Sequence, residues 1–134
     1  MITLTDIEAA AKTLNGLIVR TPIVKSPVLS ERLGTNIYLK LELLQRTGSF
    51  KPRGALIQIL AREAEAREKG IVAVSGGNFA IAVAFAAHQL GLAATICMPA
   101  HTPQNYIDAT KVYGATVLLL PEIAEAFAHA EKLA

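Results

Sequence analysis

Lys51 stands in the run Gln45-Arg46-Thr47-Gly48-Ser49-Phe50-Lys51-Pro52-Arg53-Gly54-Ala55, whose residue types suit a reactive amine. A lysine that acts as a covalent amine carrier must be deprotonated, and an unperturbed lysine near neutral pH almost never is. Pro52 is favoured at the first position of a helix, so Lys51 is expected at a helix start. The positive end of that helix and desolvation against Phe50 would disfavour the ammonium form, and Arg53 adds a second cation that pushes the same way. Thr47, Gly48 and Ser49 form a small polar turn where a ligand can approach the backbone. A lysine beside a helix start is ordinarily a solvated surface group. These neighbours favour a covalent carrier instead.

Ser75-Gly76-Gly77-Asn78 separates an apolar, β-branched run (71–74) from an apolar helical run (78–90). A glycine-containing turn at a strand-to-helix junction presents backbone N–H groups and a helix N-terminus to an anion. The spacing is neither Gly-x-Gly-x-x-Gly nor Gly-Lys-Ser/Thr, which argues against a dinucleotide or P-loop site. The plainer alternative is a strand–turn–helix with Ser75 or Asn78 as the cap.

The elements that must position these groups follow from hydrophobic periodicity and from glycine and proline. Thr5 and Glu8 match a capping box and Gly16 a stop, predicting a first helix over 5–15. Residues 17–25 read as extended around Thr21-Pro22, 30–33 as a helical turn ended by Gly34, and 36–41 as a strand. One helix is expected from Pro52 to Lys69, with its charge run as a solvated face and Gly70 as its cap. Three strands, 71–74, 94–98 and 116–120, then alternate with helices over 78–90, 103–113 and 121–134; Thr102 serves as cap before Pro103. This alternation means an α/β fold with an open parallel sheet of βαβ units. Ligands in such sheets sit beyond the carboxyl ends of the strands, and Ser75 occupies one. The alanine-rich 78–90 helix is apolar nearly all round and should be tightly packed.

Composition removes several function classes. Of 134 residues 52% are hydrophobic, yet no apolar run reaches the roughly eighteen residues of a membrane span. A net charge of +2 with interspersed signs gives no basic stripe for nucleic acid. The single cysteine, Cys97, lies in an apolar run and reads as a core residue, consistent with a reducing, cytoplasmic setting. His88, His101 and His129 share no metal-ligand spacing, so no metal site is expected.

The Lys51 and Ser75–Asn78 motifs, in this order and at this spacing, resemble the threonine dehydratase and serine racemase family of pyridoxal-phosphate (PLP) enzymes, of tryptophan synthase β-like fold. The similarity runs from Arg20-Thr21-Pro22 through Leu39-Lys40-Leu41-Glu42 to Met98-Pro99 and Tyr113-Gly114-Ala115. The resemblance implies that Lys51 carries PLP as its Schiff base, that Phe50 packs on the cofactor ring, and that Asn78 bonds the ring hydroxyl. Ser75, Gly76 and Gly77 would line the substrate carboxylate site. It further implies a larger PLP domain containing residues 1–70 and a smaller one over 71–134. Such enzymes are about twice this length or more, so the chain reads as an N-terminal portion lacking the glycine-rich phosphate cup.

Two positions depart from the family pattern. Phe79 stands where many members have histidine, at the edge of the carboxylate loop. Gly76 stands where the racemases carry a serine base, which favours elimination over racemisation. The expected activity is dehydration of L-threonine or L-serine to a 2-oxo acid and ammonia, in a homo-oligomer when full length. Another β-elimination, β-replacement or racemase activity on the same scaffold is the alternative, as is a non-catalytic binding module.

Overall fold

The computed structural model describes residues 1–134. Helix α1 (Leu4–Thr13) precedes a small antiparallel ribbon of β1 (Ile23–Lys25) and β2 (Tyr38–Lys40), with α2 (Pro27–Leu33) between the two strands. A 3-10 turn (Glu42–Leu44) leads to α3 (Lys51–Leu60) and α4 (Glu63–Lys69). The remainder is strictly alternating: β3 (Ile71–Val74), α5 (Asn78–Leu90), β4 (Ala94–Pro99), α6 (Gln104–Val112), β5 (Thr116–Leu120) and α7 (Ile123–Leu133). Strands β3, β4 and β5 form a parallel sheet in that order, with Ile71 opposite Ala94 and Thr95 opposite Thr116. The expected α/β architecture with a parallel sheet is therefore what the chain adopts.

Strand alternation sorts the core to two faces. Ile71, Ala73, Ile96, Met98 and Val117 point to the side covered by α5 and α6; Val72, Val74, Cys97, Leu118 and Leu120 point to α7. Helix α7 meets that second face with Ala126 and Ala130, one turn apart. Helix α5 is buried at every residue from Ala80 to Ala87, lying between the sheet and α3. Its alanines let α3 approach closely enough for Ala55, Leu56 and Ile59 to share one core with it. Leu56 is fully buried, and truncation to alanine there should cost about 2–5 kcal/mol.

Several local expectations are corrected. The first helix is capped by Thr3 with Asp6, not by Thr5 with Glu8: the two boxes overlap, and the earlier one forms reciprocally. Helix α2 begins at Pro27 after a Ser26 cap, three residues before the expected start. The single helix expected over 52–69 starts at Lys51 and breaks at Ala61–Arg62, where the Arg62 N–H bonds the Ile59 carbonyl in a tightened turn. A continuous helix would bring Arg62 and Glu63 next along the face that buries Ala55 and Ile59. After the break Arg62 is exposed and Ala66 is buried.

Thr102 is not the cap of α6. Pro103 occupies that position without a side-chain bond, and the Thr102 hydroxyl points elsewhere. The boundaries of α1, β2, β4, α6 and α7 shift by a residue or two from expectation.

Candidate functional site

Lys51 is the first residue of α3, and the loop before it is bolted down from three sides. The Gln45 side chain is buried and reads the Val19 backbone like a strand partner, its Nε2 donating to the Val19 carbonyl and its Oε1 accepting from the Val19 N–H, both at 2.9 Å. The Gly48 N–H closes a turn onto the Gln45 carbonyl at 2.8 Å. Gly48 takes φ +70 there, a left-handed conformation that other residues adopt only with strain. Buried Ser49 then accepts the Lys51 N–H at 3.4 Å.

The third fastening is ionic. Arg53 donates from Nε (2.9 Å) and Nη2 (2.8 Å) to the two oxygens of Glu42, which also accepts from the Thr21 hydroxyl at 2.5 Å. Lys40 Nζ donates to the Thr21 carbonyl. Arg53 thereby holds the Glu42 carboxyl well below the usual range, at about 2, with Thr21 and the Lys40 charge assisting against the effect of burial. Residues from the N-terminal segment, the 3-10 turn and α3 thus meet at one carboxylate.

This geometry overturns two expectations about the surroundings of Lys51. Phe50 is 58% exposed, so it does not desolvate the amine; its ring centroid lies 4.9 Å from Lys51 Nζ, in cation–π contact. Arg53 is not a free second cation, because Glu42 neutralises it. The helix start is the one expected influence that remains in place.

Ser75, Gly76 and Gly77 connect β3 to α5, and Asn78 is the first residue of that helix. Ser75 Oγ accepts the Gly77 N–H at 3.2 Å. No side chain caps α5, and the N–H groups of Gly76, Asn78 and Phe79 bond no protein group. Three unpartnered donors at the start of a thirteen-residue helix make a cradle suited to an anion.

Packing of α3 on α5 brings the start of the Lys51 helix and Phe79, the residue after the second motif, to one cleft. Phe50, Lys51 and Phe79 line one cleft of about 610 Å³, which continues past Ile59 and Ala66 to Ile71 and Val72 on the open edge of β3. Ser75 to Asn78 lie outside its lining, immediately before Phe79. Close to the lysine, Thr47 Oγ1 is buried without a hydrogen-bond partner. Such a group costs about 1–3 kcal/mol unless a ligand or water meets it.

Sequence reasoning missed Glu42, Gln45, Thr21 and Thr102 as parts of this site. Their partners lie 11 to 26 positions away, at Arg53, Val19, Glu42 and Gly76, beyond any local pattern.

A family model described as "Pyridoxal-phosphate dependent enzyme" matches residues 14–134. An L-threonine ammonia-lyase of Thermotoga maritima is 50% identical over 119 residues, which are 89% of this chain and 30% of that one. Maize serine racemase superposes with a TM-score of 0.88 at 31% identity, covering 95% of this chain and 39% of that one. The processed form of threonine deaminase isoform 2 from Solanum lycopersicum superposes with a TM-score of 0.81 at 34% identity, covering 98% and 40%. The chain thus spans about a third of the length of such relatives.

Proposed function

The chain belongs to the pyridoxal-phosphate dependent enzyme family, and from that membership we propose that it carries the cofactor-lysine and substrate-loop portion of an ammonia-lyase acting on L-threonine or L-serine. The observation that carries the reading is the shared cleft: Lys51, opening α3, and Phe79, following the Ser75–Asn78 cradle, face the same space.

The residues present suit the cofactor. Lys51 offers a half-buried amine at a helix start, Asn78 an amide at the next helix start, and Thr47 an unsatisfied hydroxyl beside the lysine turn. We assign Lys51 as the attachment point, Phe50 and Asn78 to the cofactor ring, and Ser75, Gly76, Gly77, Asn78 and Phe79 to the substrate, whose carboxylate suits the free N–H groups. When bound, pyridoxal phosphate supplies an electron sink for charge developing at the substrate α-carbon. With the substrate in place, the free Lys51 Nζ would accept the α-proton and return it to the departing β-hydroxyl, which would leave as water. Gly76 has no group that exchanges a proton on the opposite face, so elimination is favoured over racemisation.

In the whole enzyme, residues 1–70 fall to the larger cofactor domain and 71–134 to the smaller. Turnover belongs to that whole enzyme. No run of three glycines occurs among these residues to hold a phosphate, and a cofactor free to tilt loses the alignment on which rate depends.

Borohydride reduction of the chain mixed with pyridoxal phosphate, followed by peptide mass mapping, tests the assignment. Label on Lys51 is expected, together with release of 2-oxo acid from L-serine and L-threonine well below about 1 per second. A label distributed evenly over all the lysines would refute it.

A further inference from the structure

Thr102 lies in the turn between β4 and α6, 26 positions from Gly76, yet the two meet. A Cβ on Gly76 would fall 2.6 Å from Thr102 Oγ1 and 3.5 Å from both Thr102 Cβ and Pro99 Cδ. The place a side chain at position 76 would take is therefore filled by the Thr102 hydroxyl. Thr102 is 7% exposed, its N–H is tied to the Pro99 carbonyl at 3.0 Å, and its branched side chain is stiff. Its hydroxyl makes no hydrogen bond to any protein group and, unlike that of Thr47, keeps contact with solvent, so it is open to a ligand.

An unpartnered, accessible hydroxyl on an otherwise buried side chain thus faces the same loop whose Gly76, Asn78 and Phe79 N–H groups are free. Both observations call for one oxygen-rich ligand. We propose that Thr102 is a substrate-positioning residue whose hydroxyl donates to the carboxylate of an amino acid held at the Gly76–Asn78 loop, standing in for the side chain that Gly76 lacks. The proposal rests on the ammonia-lyase reading for the substrate class, but it makes Thr102 part of the site, where neither motif placed it.

The test is a nuclear magnetic resonance titration of the apo chain with L-serine and, separately, with ethanolamine, which keeps the amine and hydroxyl but lacks the carboxylate. L-Serine should shift the amide signals of Gly76, Gly77 and Asn78, and ethanolamine should not. Thr102→Val, which replaces the hydroxyl with a methyl group, should weaken L-serine binding about tenfold or more, the loss expected for one hydrogen bond to a charged group. Thr102→Ser should bind as the parent does, and the spectra report at once whether each variant is folded. Equal affinity in folded Thr102→Val and parent, or no response of these amides to L-serine, overturns the proposal. Borohydride labelling of Lys51 in the same samples separates the two readings. A labelled Lys51 with a Thr102→Val variant that binds normally leaves the lyase reading intact and removes Thr102 from it. An unlabelled Lys51 with weakened serine binding does the reverse.

Discussion

Glu42 and Arg53 meet edge to edge, each carboxylate oxygen taking one guanidinium nitrogen, at 2.9 Å from Nε and 2.8 Å from Nη2. Bidentate pairing of this kind fixes orientation as well as distance, and Arg53 lies two residues after Lys51. The pair holds the Glu42 carboxyl at about 2, against 4.5 ordinarily. The native state therefore binds this proton less readily than the unfolded state does, and its stabilising effect is present in full above about pH 4.5 and lost as pH falls toward 2. Urea midpoints measured against pH should show the parent exceeding Glu42→Gln at neutral pH, with the gap closing through that window. A gap independent of pH would show that the charge on Glu42 contributes nothing.

Lys51→Ala should remove the borohydride-trapped adduct while leaving the fold intact, because the side chain is half-exposed and its contact is with a solvent-facing ring. Lys40 offers no substitute, since its amine is already engaged by the Thr21 carbonyl. An adduct of parental yield in the variant would place the reactive amine elsewhere.

Gly76→Ala should destabilise the chain by about 1–3 kcal/mol through overpacking against Thr102. Gly76 does not have positive φ, so the cost is steric rather than conformational. Thr102→Ala in the same chain should relieve it, giving a favourable coupling of about 0.5–3 kcal/mol in a double-mutant cycle. Additive effects would mean that Thr102 does not occupy the space at position 76.

Cys97 is fully inside the sheet, facing Ala126 and Ala130, and burial pushes its thiol above the ordinary value. An aromatic disulfide reagent should react with it only at the rate of global unfolding, and fully in denaturant. Rapid reaction in native buffer would require α7 to detach from the sheet.

The layered part of the fold is written locally. Strands 71–74 and 116–120 and the 78–90 helix fall on the expected residues, because β-branched runs, an unbroken alanine-rich stretch and terminal glycines leave each one solution. The break at Ala61–Arg62 has no glycine or proline to announce it. The site divides in the same way. Lys51 and Ser75–Asn78 carry their own signal as contiguous motifs. Gln45 on Val19, Glu42 on Arg53 and Thr102 on Gly76 exist only after distant segments are packed. Thr102 was especially opaque, since a threonine before a proline reads as a helix cap.

Helices α5 and α6 cover one face of the sheet and α7 the other. Parallel connections are right-handed in about 98% of cases, so a chain that reverses its direction across a sheet must also change face. Stepping from β3 to β4 to β5 uses the α5 side, and α7, on the other face, packs across β4 and β3. The last residues of α7, Leu133 and Ala134, already stand beside Ile71 and Val72 there. The edge strand β3 is thus flanked by α5 on one face and by the end of α7 on the other. Ser75 and Gly76 follow that strand at its carboxyl end, where α/β sheets hold their ligands, and lead directly to Phe79 in the Lys51 cleft. The same residues placed after β5 would stand at the far edge of the sheet, away from the cleft that Lys51 lines.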